Sequence, residues 1–344
     1  MDQTPARERL PIMTSNPSEG PLELARGKTP WKVLSVAFSA AILWLLYRKL
    51  DRRLMLDVLA HADVTWLMLS VGMIVPITLL TAARFRWVAS PRWAPPYADA
   101  LGLTLISNAL NLFLPAKLGD LAKSRFLCTQ RGATAGFGVS VVVFERLSDV
   151  FSVATWCLIG WFTGAATVSV DAAALLAICL WLLSGGLMFS GGLAGSGLKK
   201  AGRYGPFRTS EKLRLLWRGW PELQAALGGR VRWLALYSVG IWFLHLTQIW
   251  MFTLAVRANV PFAVGLTLAP VVLLCALVPF TFGGIGPRDA AAIYLFSEYM
   301  PPELAASVGL LTISRAVVPS VAAIPLLRRY LRSIFGTSAG PAAG

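Results

Sequence analysis

The chain has 344 residues, 56% of them hydrophobic and 14% charged, where a soluble domain carries about 25% charged residues. Its 32 Lys+Arg against 17 Asp+Glu give +15, but the basic residues lie between apolar segments, so membrane topology explains them better than nucleic acid does. This excludes a disordered chain, an ordinary cytosolic enzyme and a secreted disulfide scaffold; Cys128, Cys157, Cys179 and Cys275 lie within or at the ends of apolar segments and form no CxxC pair.

Residues 1–30 are polar and mixed in charge, and read as a disordered cytoplasmic tail. A membrane domain follows over 31–331, with a flexible tail at 332–344. Its first apolar stretch, Val33 to Tyr47, ends in Tyr47-Arg48-Lys49 rather than a small-residue cleavage site, which favours a retained anchor over a signal peptide. Val64–Ala83, Gly136–Thr163, Ala172–Gly192, Trp233–Val256 and Pro302–Leu327 are each long enough for a span, which needs about 20 residues.

Two further segments are interrupted. Ala98–Pro115 carries Asn108 and Asn111, and Phe262–Phe282 carries Pro270 and Pro279 before Gly283-Gly284-Ile285-Gly286-Pro287. Broken apolar segments of this kind suit re-entrant hairpins, tolerated at membrane depth where protein or a cavity surrounds them. No stretch alternates over ten residues, as a membrane β-strand would. The expected fold is an all-α polytopic membrane protein of about six spans plus two re-entrant hairpins. The basic loop 193–232, segment 116–135 and Arg328, Arg329 and Arg332 then all face the cytoplasm with both termini, while the basic residues of 48–63 run against the rule. Part of 207–227, with Leu213, Leu216, Trp217 and Leu223 among basic residues, has the pattern of an interfacial amphipathic helix.

The interrupted segments resemble each other. Aligning Phe113 with Phe282 aligns Asp120 with Asp289 at an offset of 169, and the same offset carries Arg146 onto Arg315. With three full spans between them, the second half is inverted relative to the first, as in many transporters whose site lies between repeats.

Charges stand where they are costly. Glu145, Arg146 and Asp149 sit inside Gly136–Thr163, with both carboxylates on one face at i,i+4, and Arg315 is deep in Pro302–Leu327. Each costs roughly 2.5–3.5 kcal/mol at the membrane centre unless paired or facing a cavity. Two roles stay open: mutual neutralisation that fixes helix packing, or arginines that hold an anionic headgroup through their planar forks. Gly284, Gly286 and Pro287 open a helix whose N–H groups favour an anion, with Arg288 adding a full charge and Asp289 following; a ligand-free turn is the alternative. Lys117 and Asp120 occupy the matching turn, and Asn108 and Asn111 could satisfy broken-helix carbonyls or meet a headgroup. Arg84 and Arg86 beside Trp87 read as an interfacial anchor, and His61 and His245 lack ligand spacing, so no metal or cofactor is expected.

The segments Asn111-Leu112-Phe113-Leu114-Pro115-Ala116-Lys117-Leu118-Gly119-Asp120, Glu145-Arg146-Leu147-Ser148-Asp149 and Pro279 through Asp289 resemble the membrane domain of lysylphosphatidylglycerol synthetases, shared by standalone flippase-like relatives. The resemblance runs from Val33 to near Leu331, with Lys117 where Arg is usual, Asp120 and Asp289 where Glu is usual, and Phe282 where Pro is usual. It implies a bacterial inner-membrane protein that moves or binds a phospholipid or polyprenyl-phosphate lipid, without the aminoacyl transferase activity of the separate soluble domain. A lipid transporter is therefore the leading expectation. An intramembrane enzyme on a lipid-linked phosphate or sugar, using Asp120, Glu145 or Asp289, is one alternative. A non-transporting partner of a glycosyltransferase is the other. No P-loop is present for direct ATP drive.

Overall fold

A computed structural model describes residues 50–113, 115–165, 171–190, 211–276 and 286–335, together with Trp44 and Arg48. The tails 1–30 and 336–344, the apolar stretch Val33–Tyr47 apart from Trp44, and the turn residues Pro279, Gly283 and Gly284 lie outside the described residues. Among those described, all regular structure is helical.

Helix α1 (Arg52–Ala60) begins at Asp51, whose carboxylate accepts the N–H groups of Arg53 and Leu54 at 2.8 and 3.3 Å. Asp63 starts α2 (Val64–Gly72) in the same way, accepting from Thr65 at 2.9 Å. Both caps satisfy orphan donors and place negative charge at the favourable end of a helix dipole. Met73 joins α2 to α3 (Ile74–Val88) in one apolar run of 25 residues, after which Ser90 at φ 65° opens the short α4 (Ser90–Trp93).

Among the described residues, four runs are long and apolar enough to cross a bilayer: Val64–Val88, Asp171–Phe189, Arg218–Ala255 and Pro302–Tyr330. Helix α7 (Ala135–Thr163), capped by Thr134, is not among them, although its 29 residues span about 44 Å at 1.5 Å each. Glu145, Arg146 and Asp149 lower its hydropathy, so its place in a membrane depends on their pairing. By contrast α8 (Asp171–Phe189) leaves Leu175, Leu182 and Leu183 exposed, a lipid-facing surface.

Both interrupted segments fold as helical hairpins with one long arm and one short arm. In the first, α5 (Tyr97–Phe113) leads through a 3-10 turn at Pro115–Asp120 into α6 (Leu121–Arg131). In the second, α11 (Phe262–Cys275) packs against α12 (Pro287–Leu295). The short arms have 11 and 9 residues, about 16 and 13 Å, too short to cross a ~30 Å hydrocarbon core.

The 169-residue offset places α2–α3 on α10 (Val231–Ala255), and these two helices run antiparallel along their length. Asp63 N–H donates to Ala255 O at 2.7 Å, Gln248 to Ser70 O at 2.8 Å, and Tyr237 to Leu80 O at 3.2 Å, so rising numbers on one helix meet falling numbers on the other. Corresponding helices with opposite directions are what an inverted repeat requires. The hairpins are exchanged in the same sense. The first packs against α14 (Ser314–Phe335), where Tyr330 donates to Asp99 at 2.6 Å, and the second packs against α7.

Three expectations need correction. Pro302–Leu327 is not one helix: α13 (Pro302–Leu311) and α14 are separated at Thr312–Ile313, which puts Arg315 in the first turn of α14. The Thr312 and Ser314 hydroxyls donate to the carbonyls of Gly309 and Leu311, both at 2.6 Å, and Pro319 has no N–H to offer the carbonyl one turn back. The helix α9 (Glu211–Leu227) is amphipathic, and its Trp220, Leu223 and Leu227 are buried in the core against α7, while the side chains of Leu213 and Trp217 lie outside the described residues. Arg84 is no interfacial anchor, since α3 continues past it and it is 2% exposed; Arg86 on the opposite face is exposed.

Candidate functional site

The first half gathers its charges into a closed network. Glu145 on α7 accepts from Lys123 on α6 at 3.0 Å and has Arg84 of α3 at 3.9 Å on its other oxygen. Asp149, one turn on, accepts from Arg84 at 2.8 Å and pairs with Arg146 at 3.2 Å. Arg146 reaches back to Asp120 at 3.2 Å, and Asn111 donates to the other oxygen of Asp120 at 3.3 Å. Three cations thus meet three carboxylates. Arg84, Lys123 and Glu145 have side chains only 3%, 2% and 1% exposed. These pairings offset the cost of burying the described charges, while the Arg146 side chain stays 34% exposed.

The second half is arranged differently. Gly286 starts α12 at φ 104°, a conformation that glycine adopts without a side-chain clash. Asp289 folds back onto the Gly286 N–H at 3.3 Å, while its other oxygen accepts from Arg288 at 2.9 Å. One of the N–H groups expected to face an anion, that of Gly286, is therefore taken by Asp289, and Pro287 has none. Arg288 and Arg315 both line a cavity of about 50 Å³ between α10, α11, α12 and α13, room for about three to five waters at roughly 10–15 Å³ each. Asp289 is the one carboxylate among the lining residues, which are otherwise mostly apolar, with Thr253 and Thr312. Arg315 pairs with no carboxylate among the described residues; its guanidinium lies 2.6 Å from His245 Nδ1.

Guanidinium can only donate, so Nδ1 of His245 accepts and the ring is neutral in this arrangement. The imidazole also packs on Trp242, with ring centroids 5.0 Å apart, and Trp242 Nε1 donates to Asp149 at 3.1 Å. One face of α10 thereby touches both halves: Arg315 through His245, and the closed network through Trp242.

The expected site residues separate into two groups. Arg288, Asp289 and Arg315 come together at the cavity, beside Gly286. Asp120, Glu145, Arg146 and Asp149, with Asn111, form the closed network instead. Asn108 is half-buried on α5 and makes no side-chain hydrogen bond among the described residues. Lys117 lies in the 3-10 turn with its side chain outside the described residues, as is all of Gly284. His245, Arg84 and Lys123 were missed as site members. A signal existed for Arg84, which falls inside the apolar run Val64–Val88 rather than at its edge.

The family model described as the Lysylphosphatidylglycerol synthase TM region matches residues 32–323. No curated protein sequence matches the chain. The chain belongs to the lysylphosphatidylglycerol synthase TM region family, and it is a multi-pass, all-α membrane protein connected through that family with lipid metabolism.

Proposed function

We propose that this family member is a lipid transporter that carries an anionic headgroup through the cavity of its second half. The observation that carries the reading is the charge balance there: two arginines and one carboxylate in an apolar, partly enclosed space. A phosphate or phosphodiester would supply the missing negative charge and accept the forked bonds of guanidinium. Arg315 stands near the middle of the 29-residue run Pro302–Tyr330, so a headgroup held there is part-way across while its tails stay in lipid. Asp289 favours binding over chemistry at this place. Both its oxygens are engaged, one by the helix start and one by Arg288, so it is poorly placed to serve as a general base. We place the protein in a bacterial inner membrane with both termini cytoplasmic.

The test is transbilayer movement in proteoliposomes. Labelled phosphatidylglycerol-type, aminoacylated and polyprenyl-phosphate lipids are compared with wild-type protein and with Arg315→Gln. Movement of one lipid class that Arg315→Gln reduces to the rate of empty vesicles is the expected result. Equal movement by both proteins would remove Arg315 from the pathway, and no movement of any lipid by folded protein would overturn the transport reading.

A further inference from the structure

We propose that His245 couples the cavity to protons, so that an anion binds together with one proton taken up at Nδ1. This deepens the headgroup reading and rests on it. The argument starts from the 2.6 Å contact with Arg315, which is possible only while Nδ1 holds a lone pair. A proton on that nitrogen ends the hydrogen bond and sets two cations side by side. An anion entering between Arg288 and Arg315 relieves the repulsion, accepting from the released guanidinium. When the imidazole gives the proton up again, Nδ1 reclaims Arg315 and the anion loses a donor. Proton and anion each raise the affinity for the other, as thermodynamic linkage demands. Imidazole is the side chain whose ordinary titration lies between about pH 5 and 8, which makes such coupling usable in a cell.

The surroundings support His245 as the proton carrier. The helix α14 brings Arg315, and α12 brings Arg288 and Asp289 to the same cavity. From α7, Asp149 reaches the neighbourhood through Trp242, but it is already engaged by Arg84 and Arg146, with Glu145 behind it held by Lys123. Helices α2 and α11, also packed on α10, carry no Asp, Glu, Lys or Arg, and α11 contributes only Cys275 as a titratable group. Glu303 of α13 is half-buried in that helix's first turn, two residues before Ala305, which lines the cavity. Asp171 of α8 is that helix's first residue, where it accepts from Trp161. Glu145, Asp149 and Asp289 are thus engaged by cations, whereas His245 has a proton-accepting atom turned to the group that would hold the ligand.

The experiment measures binding of two probes to the purified full-length chain in detergent by calorimetry. Dihexanoyl phosphatidylglycerol carries a lipid headgroup, and dimethyl phosphate is the same phosphodiester without tails; both keep one negative charge across the range. Buffers of different ionisation enthalpy report the protons taken up. Wild type is expected to bind about threefold or more tighter near pH 5.5 than near pH 8, with proton uptake. His245→Gln keeps an acceptor for Arg315 but cannot be protonated, and is expected to bind with a flat pH profile and no uptake; His245→Asn serves if that variant does not fold. Unchanged pH dependence in the glutamine variant, or wild-type binding without uptake, overturns the coupling and leaves the anion site standing. No binding of either probe by wild type overturns the headgroup reading, and this inference with it. Equal affinity for both probes would assign recognition to the phosphodiester alone, with the coupling still decided by the variant.

Discussion

Position for position, Gly119 of the first hairpin stands where Arg288 stands in the second, and Arg84, Lys123, Glu145 and Asp149 stand where Thr253, Ala292, Ser314 and Val318 do. The charged positions occupied alike are Asp120 with Asp289 and Arg146 with Arg315. In the first half the additional charged side chains fill the space beside the hairpin and neutralise one another. In the second their replacements are small or apolar, and two of them, Thr253 and Ala292, line the cavity. Gly119 has no room for any side chain, since a Cβ there would meet the Ser107 carbonyl oxygen at 2.6 Å and the Asn111 nitrogen at 2.7 Å. Its counterpart Arg288 reaches the cavity. One scaffold used twice can therefore hold a sealed ionic strut in one half and an open, net-positive site in the other, and the difference rests on a handful of side chains.

The strongest way to break this comparison is to unbalance the sealed half. Glu145→Gln leaves Lys123, a 2% exposed ammonium, without its carboxylate, and removing one member of a buried pair typically costs about 3–5 kcal/mol. A large fall in melting temperature and in yield of monodisperse protein is expected, with recovery in Lys123→Met/Glu145→Leu. Normal stability of the single variant would mean that the network is not structural.

Next in size is a substitution that makes the second half resemble the first. Ala292→Leu fills the cavity from α12 and should lower lipid movement by about tenfold or more, with stability changed by only about 1–3 kcal/mol. Full transport with the cavity filled would place the pathway elsewhere. Together the two variants separate stability from transport along the line between the halves.

Much of this was legible from residues alone. The hairpins, the inverted repeat and the pairing of Glu145 and Asp149 with cations follow from where charge and proline interrupt apolar runs. What was not legible has two physical causes. Arg84 falls just past Val64–Ala83, a span drawn too short, and Lys123 stands in the basic segment 116–135, where a topology signal and a buried partner look the same until helices are packed. His245 sits in an apolar helix of mostly aromatic and aliphatic neighbours, and its meaning depends on a residue 70 positions away. The break before Arg315, where the Thr312 and Ser314 hydroxyls bond carbonyls of the preceding turn, is a feature that hydropathy does not register.

A smaller effect tests whether the charge balance itself sets affinity. Asp289→Asn keeps an oxygen for the Gly286 N–H but removes the charge that Arg288 pairs with, so the cavity gains one net positive charge. Dimethyl phosphate should bind several-fold tighter, roughly the tenfold that 1.4 kcal/mol represents at most, by calorimetry at fixed pH. Unchanged affinity would mean that the carboxylate serves only as the helix cap.

The smallest effect concerns the seam between the halves. Trp242→Phe keeps an aromatic ring against His245 but removes the N–H that Asp149 accepts at 3.1 Å. Asp149 retains Arg84 and Arg146, so the lost bond should cost about 1 kcal/mol, read as a fall of a few degrees in melting temperature. If the strut is only a strut, transport and its pH dependence stay as they were. If transport falls while stability holds, Asp149 acts on the cavity through Trp242 and His245, and the two halves work as one site. The Trp242 hydrogen bond is the one to remove because its indole bonds Asp149 and packs on His245.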